Sequence, residues 1–285
     1  MPKIIRIQLL AAFALLLILA CSSSAASDTH QTELVVFAAS SLTDVFRDAA
    51  AAFEAENPGV SIILNFDGSQ RLRTQLEHGA RADLFASADW QQMDILVGAG
   101  LVNGEPVNFT ANRLVVVIFP GFKQDPTLAD LTEPGSKVLI AQETVPAGFY
   151  SRTMLANLQA DPAFAPDYAD QVLANVVSEE ANVRNVAQKV ALGEADAGIV
   201  YQTDAVALGV SQDVLVLPIP ESLNVIAAYP IANLRDSTRQ DLARGFIEHL
   251  MSDEGQQVLR DHGFGKNQPT AAWPAAGRLF RVGNG

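Results

Sequence analysis

Two serines lie at the junction between a predicted strand and a predicted helix, where a chain can bind an anion. Ser40 and Ser41 follow the apolar run 34–39 and precede a segment whose apolar residues recur with helical spacing over 42–53. The first turn of a helix has N–H groups without intrahelical partners, and the helix dipole favours negative charge there. A serine hydroxyl adds a further donor. The junction predicts an anion site, although serine is also common as a simple helix cap.

Small and polar residues recur at further junctions of this kind. They are Asp67-Gly68-Ser69-Gln70, Val145-Pro146-Ala147-Gly148, Asn182-Val183-Arg184, and Ile199-Val200-Tyr201 before Thr203-Asp204. In open α/β sheets, ligands bind at the carboxyl ends of the strands, where helix N-termini supply backbone N–H groups. The junctions occur in both halves of the chain, which is consistent with one ligand held between two lobes.

The junctions belong to a chain in which predicted strands and helices alternate. Short apolar runs predict strands at 34–39, 60–66, 83–87, 114–119, 137–141, 197–201 and 213–218. Amphipathic segments predict helices near 42–56, 69–78, 89–99, 150–160, 181–192 and 236–250, and a last helix runs from Ser252 to Gly263. This alternation predicts an α/β fold with mainly parallel sheets and helices on both faces.

Residues 1–26 predict an export signal and a tether, outside the fold. Lys3 and Arg6 precede the apolar stretch 9–20, which is too short to span a bilayer. Cys21, the only cysteine, follows it directly and resembles the lipid-bearing cysteine of bacterial lipoproteins. Ordinary secretion with an incidental cysteine is the alternative. In either case we expect an exported protein, either lipid-anchored at the cell membrane or periplasmic.

Composition and motifs argue against several classes of function. The 285-residue chain has a net charge of −13, which argues against a nucleic-acid partner and against capture of anions by a general electrostatic field. The four histidines lack metal-ligand spacing: His30, His78, His249 and His262. The sequence has no G-x-S-x-G, P-loop or dinucleotide motif. We therefore expect no enzyme, no cofactor and no metal cation.

Several motifs, taken in order, resemble those of the molybdate-binding proteins of ABC importers. They are Val36-Phe37-Ala38-Ala39-Ser40-Ser41-Leu42-Thr43, Gln75 to Ala80 with Ala82 to Ala88, Val145 to Gly148, and Gly198 to Tyr201 with Thr203 to Ala205. The resemblance covers about residues 33–265. It implies a two-lobed periplasmic-binding-protein fold of the second type. We expect residues 33–111 and 226–265 in lobe 1, residues 112–225 in lobe 2, and residues 266–285 as a C-terminal tail.

The resemblance also implies a ligand, a set of contacts and partners. The ligand contacts of the family fall on Ser41, Ser69, Ala147, Val183 and Tyr201 of this chain, with Gln70 as the alternate to Ser69. Ala147 and Val183 would act through their backbone N–H groups. The ligand would be molybdate or tungstate, held through its oxygens and delivered to an ABC permease with its ATPase. We expect a monomer that touches the membrane only through a lipid anchor.

Sulfate and phosphate are the alternative ligands. Molybdate carries no proton at neutral pH, so a site made only of donors suits it. Phosphate carries a proton and profits from an acceptor, which Asp67 or Asp204 could supply, although we interpret them as a turn residue and a helix-start residue. Sulfate differs from molybdate mainly in size. Arg71 could add charge to the site, but its place on an amphipathic helix favours solvent.

Overall fold

The computed structural model describes residues 31–209 and 214–265. The predicted export segment 1–26, with Cys21, and the predicted tail 266–285 lie outside the described residues. Among the described helices, none combines the length and the apolar character needed to cross a bilayer.

The described strands form one connected sheet. They are β1 Thr32–Ala39, β2 Val60–Asp67, β3 Leu84–Ala86, β4 Val102–Ile118, β5 Val138–Ala141, β6 Val176–Glu180, β7 Ala197–Tyr201, β8 Leu215–Pro218 and β9 Ile226–Leu234. Their order is β2-β1-β3-β9-β4-β7-β5-β6, and β8 pairs with β4. The long strand β4 connects the two halves, because it pairs with β9 up to Arg113 and with β7 from Leu114.

The described helices follow the strands in alternation. They are α1 Thr43–Glu56, α2 Ser69–Glu77, α3 Trp90–Gly98, α4 Pro146–Ala160, α5 Tyr168–Ala174, α6 Val183–Ala191, α7 Gln202–Gly209, α8 Gln240–Met251 and α9 Asp253–Asp261. Short 3₁₀ turns occupy Ser40–Leu42 and Leu128–Thr132. The α/β fold predicted from the sequence is confirmed.

The sheet is mixed, which differs from the mainly parallel arrangement predicted from the alternation. β1 runs parallel to β3, and β5 runs parallel to both β6 and β7. β4 and β9, in contrast, run antiparallel to each other and to β7, β8 and β3. Parallel neighbours need long crossovers, whereas these two strands lie between the crossover units and can pair in the opposite direction.

Helices cover both faces of the sheet, because successive residues of a strand point to opposite sides. Val36 and Ala38 of β1 belong to the larger apolar core, which also contains Phe46 of α1. Phe37, between them, belongs to a smaller core with Leu72 of α2 and Met93 of α3. Two buried layers thus fix the register of β1 and bring its carboxyl end to the start of α1.

The structure changes several predicted boundaries. The strand predicted at 114–119 is the end of β4, whose first half contains Gly104 and Pro106 and lacks a regular apolar pattern. The helix predicted from 150 begins four residues earlier, at Pro146, since proline suits the first position of a helix. Gly148 allows this start, because a Cβ there would lie 2.0 Å from the Gln142 carbonyl oxygen.

Candidate functional site

A small cavity lies where several helices begin at the carboxyl ends of strands. Its lining residues are Ala39, Ser40, Ser41, Gly68, Ser69, Ala88, Val145, Pro146, Ala147, Val183 and Tyr201. All five residues predicted as ligand contacts, Ser41, Ser69, Ala147, Val183 and Tyr201, are among them. The structure therefore brings together five positions that are spread along the sequence from residue 41 to residue 201.

Helix N-termini surround the cavity. Ser69 is the first residue of α2, Ala147 is the second residue of α4, and Val183 is the first residue of α6. Backbone N–H groups in a first turn have no acceptor within the helix, and the helix dipoles place partial positive charge there. Ala147 and Val183 can therefore supply donors although their side chains are apolar. The combination favours a small anion.

The two serine hydroxyls are buried and already have protein partners. The Ser41 hydroxyl lies 2.8 Å from the hydroxyl of Tyr229 on β9. The oxygen of Ser69 accepts a hydrogen bond from the backbone N–H of Ala88 at 3.1 Å. Each serine is thus held by a group on another segment of the chain.

Tyr201, the last residue of β7, contributes a phenol to the cavity. Its side chain is 1% exposed, and its hydroxyl has no hydrogen-bond partner among the described residues. Burial raises the pKa of Tyr201 well above its ordinary value, so the group remains a neutral donor at physiological pH. An unpaired buried polar group costs about 1–3 kcal/mol. An anion in the cavity would accept this hydrogen bond.

The carboxylates near the site lie outside the described lining of the cavity. Asp67 accepts a hydrogen bond from the N–H of Gly68 at 2.7 Å, which is the turn role expected from the sequence. Asp204 is fully buried in the first turn of α7, and burial raises its pKa to about 6, although Arg184 opposes the shift. The cavity therefore presents donors, without a carboxylate acceptor among the residues described.

Gln70, the alternate to Ser69, lies beside Gly68 at the edge of the cavity but is bound to another part of the wall. Its Nε2 donates to the Ala181 carbonyl at 3.0 Å, and the residue is not among those that line the cavity. Arg71 is 54% exposed and lies 3.6 Å from Asp67, so it faces solvent as expected. Ser69 is the residue of this segment whose side chain borders the cavity.

Several contacts connect the segments on either side of the cavity. They connect α1 and the β2–α2 loop to the start of α6. Arg184 Nη2 lies 2.7 Å from Asp44 Oδ2, and Asn182 Nδ2 donates to Asp67 Oδ1 at 3.2 Å. Gly68 makes a close approach, because a Cβ at this position would lie 2.7 Å from the Ala181 carbonyl oxygen.

Two residues behind the cavity were not anticipated from the sequence. Tyr229 contacts Ser41, and the amide nitrogen of Asn112 lies 3.4 Å from the Tyr229 hydroxyl. Both residues lie in strands, without a local motif. Both positions lie outside the strands and helices that were predicted from apolar spacing, so the sequence offered no signal for them.

Other candidate sites have less suitable chemistry. A larger groove of about 340 Å³ lies between β4, α7 and β8, and its described lining is mostly apolar, including Val206, Pro218 and Ile226. Within residues 31–209 and 214–265, no group of three His, Cys, Asp or Glu side chains could hold a metal ion.

The fold and the position of the cavity at the carboxyl ends of strands are those of a solute-binding protein of α/β architecture. The chain belongs to the bacterial extracellular solute-binding protein family, whose sequence profile matches residues 34–265. A molybdate-binding protein of Mycobacterium tuberculosis is 40% identical over 246 residues, which are 86% of this chain and 89% of that protein. These matches confirm the family resemblance seen in the sequence.

Solved structures show the same fold. The periplasmic molybdate-binding protein of Azotobacter vinelandii matches with a TM-score of 0.70 and 19% identity. The match covers 82% of this chain and 100% of the Azotobacter chain. The sulfate-binding protein SubI of Mycobacterium tuberculosis has a TM-score of 0.75 at 18% identity, with 87% of this chain and 91% of its own covered. At these identities the similarity shows the fold alone.

Proposed function

We propose that this protein is an extracytoplasmic receptor that captures molybdate or tungstate and delivers it to the permease of an ABC importer. The observation that carries the proposal is the convergence of five donor-bearing positions on one buried cavity without a carboxylate among its described lining residues. The 40% identity to a molybdate-binding protein supports the same ligand.

The proposed contacts are all hydrogen-bond donors. Ser41, Ser69 and Tyr201 would donate through hydroxyls, and Ala147 and Val183 through backbone N–H groups. A fully deprotonated oxyanion can only accept hydrogen bonds, so every contact would be favourable. Hydrogen bonds to charged groups are worth about 1.5–3 kcal/mol each, which allows a few such donors to bind a dianion without a cationic side chain.

Phosphate is the less suitable ligand for this site. At neutral pH its protonated form needs an acceptor, and neither Asp67 nor Asp204 lines the cavity. Sulfate, like molybdate, carries no proton at this pH, so the site can distinguish these two anions only by their size. The similarity to a sulfate-binding structure supports only the shared fold, since the identity is 18%.

The same proposal includes two lobes that close around the anion. Lobe 1 would consist of residues 33–111 and 226–265, and lobe 2 of residues 112–225. The change of pairing along β4, from β9 to β7 after Arg113, supports a boundary at this point. The contact of Arg184 with Asp44 would then join the lobes in the closed form.

The proposed receptor is a monomer that binds without catalysis and is anchored through a lipid on Cys21. The position of this cysteine after the apolar stretch 9–20 supports the anchor. Membrane fractionation of cells that express the wild type or Cys21→Ser tests it. The variant should move to the soluble fraction, and an equal distribution of both proteins would contradict lipidation.

A thermal-shift panel with molybdate, tungstate, sulfate and phosphate tests the ligand. A ligand at about 100 times its Kd adds about 2.7 kcal/mol to the unfolding free energy. Molybdate and tungstate should therefore raise Tm at concentrations where phosphate does not. A Tm raised by phosphate and unchanged by molybdate would contradict the proposal.

A further inference from the structure

The direction of the hydrogen bond between Tyr229 and Ser41 bears on which anion the cavity accepts. Tyr229 is fully buried, and its hydroxyl lies 2.8 Å from the Ser41 hydroxyl, so either oxygen could donate. The neighbouring residues determine which of them does.

Asn112 has a fixed orientation. Its Oδ1 accepts a hydrogen bond from the backbone N–H of Arg113 at 3.0 Å, and an N–H group can only donate. Its Nδ2 faces the opposite way, 2.9 Å from the Thr203 hydroxyl and 3.4 Å from the Tyr229 hydroxyl. Because an amide nitrogen is a donor only, the oxygen of Tyr229 is the acceptor in this contact.

The proton of Tyr229 then points to Ser41. Burial raises the pKa of Tyr229, so the phenol keeps its proton at neutral pH. Within the described residues, the hydroxyl of the adjacent Tyr201 also approaches Tyr229 but makes no hydrogen bond of normal geometry, whereas Ser41 Oγ lies 2.8 Å from the Tyr229 hydroxyl. Tyr229 therefore donates to Ser41, and the proton of Ser41 is free to turn to the cavity.

The Ser69 hydroxyl, like that of Ser41, accepts a hydrogen bond from the protein. Its oxygen accepts from the N–H of Ala88 at 3.1 Å, a group that cannot accept in return. Both serines receive a hydrogen bond from the protein interior, and both have a proton left for a ligand in the cavity.

We propose that Asn112 and Tyr229 are positioning residues that hold Ser41 as a donor to the cavity and thereby select an anion without a proton. The inference rests on the proposed function and specifies how the site would distinguish molybdate from hydrogen phosphate. A hydrogen phosphate that presents its proton to Ser41 would meet a second proton, which is unfavourable, whereas molybdate presents only acceptors.

Titration calorimetry with molybdate and phosphate tests the inference on the wild type, Tyr229→Phe, Ser41→Ala and the double variant. Tyr229→Phe should weaken molybdate binding about 10-fold, because one hydrogen bond that orients a charged contact is lost. In the Ser41→Ala background, the same substitution should change the affinity less than about 2-fold. Phosphate binding should weaken less than molybdate binding, so the preference between the two anions narrows.

Tyr168→Phe is the matched control. Tyr168 is also buried, and its hydroxyl donates to the Leu128 carbonyl at 2.7 Å, in a contact separate from the lining of the cavity. Its removal should leave both affinities unchanged. If Tyr229→Phe does not fold, Asn112→Ala removes the donor one step earlier and should weaken molybdate binding in the same Ser41-dependent way.

Three results would overturn the inference. The first is a Tyr229→Phe variant that binds molybdate as tightly as the wild type. The second is a Tyr229→Phe substitution that reduces the molybdate affinity equally in the wild type and in Ser41→Ala. A preference for molybdate over phosphate that stays at its wild-type value in Tyr229→Phe is the third. A wild-type protein that does not bind molybdate overturns the proposed function and this inference together, whereas wild-type binding with additive variants overturns the inference alone.

Discussion

Replacement of Tyr201 by phenylalanine should separate ligand binding from stability. The substitution removes the hydroxyl at the cavity and keeps the ring, which packs against Tyr229 with 5.9 Å between the ring centroids. This hydroxyl has no hydrogen bond of normal geometry among the described residues. Its loss should therefore leave the unfolding free energy of the free protein unchanged or slightly higher.

The effect on binding should have the opposite sign. The hydroxyl would donate to a charged oxygen of the ligand, and a hydrogen bond of this kind is worth about 1.5–3 kcal/mol. Since about 1.4 kcal/mol corresponds to a tenfold change in Kd, molybdate affinity should fall about 10- to 100-fold. We expect most of the change in the dissociation rate, because Tyr201 belongs to the second of the two proposed lobes and would contact the anion only after closure.

Stopped-flow binding and urea unfolding measure the two effects separately. Tyr168→Phe is the control, because it removes a tyrosine hydroxyl that does have a partner, the Leu128 carbonyl. That variant should lose about 1 kcal/mol of unfolding free energy and keep wild-type molybdate binding. An unchanged dissociation rate and affinity in Tyr201→Phe would refute the placement of its hydroxyl on the ligand.

Two further predictions concern closure and pH. Gly68→Ala should weaken molybdate binding at least about 10-fold in calorimetry, because a Cβ at this position would lie 2.7 Å from the Ala181 carbonyl oxygen when the proposed lobes are closed. Gly98→Ala is the control and should bind molybdate with wild-type affinity, because the space around its Cβ is open. Equal affinities of the two variants would contradict the proposed closure. Burial raises the pKa of Asp204 from 3.8 to about 6, so between these two pH values the folded state binds more protons than the unfolded state. The contribution of Asp204 to the unfolding free energy therefore falls as the pH rises from about 4 to about 6. Asp204→Asn should reduce that fall by up to about 3 kcal/mol between pH ~4 and pH ~7 in urea unfolding, and parallel curves for the two proteins would contradict it.

The parts of the site that are local in sequence could be predicted. Ser41 and Ser69 lie at a strand end followed at once by a helix start, and apolar spacing shows both elements. Ala147 was assigned from the family resemblance and placed just before a helix, whereas the helix already begins at Pro146. The grouping of these residues in one cavity follows from the α/β order, since helix starts gather at the carboxyl ends of strands.

The parts that depend on long-range pairing could not be predicted. Tyr229 is 188 positions away from Ser41, and their contact requires β9 to insert between β3 and β4 in the opposite direction. Apolar periodicity carries no information on strand direction, which is why the sheet was expected to be mainly parallel. The choice between Ser69 and Gln70 depends on where α2 begins and on the nearby Ala181 carbonyl, which lies far along the chain.

Titration calorimetry of the purified chain with molybdate, and with sulfate as competitor, shows whether the protein is a molybdate receptor. We expect a single site per chain that binds molybdate and tungstate much more tightly than it binds sulfate or phosphate. Failure to bind molybdate, or sulfate binding that is tighter than molybdate binding, would contradict it.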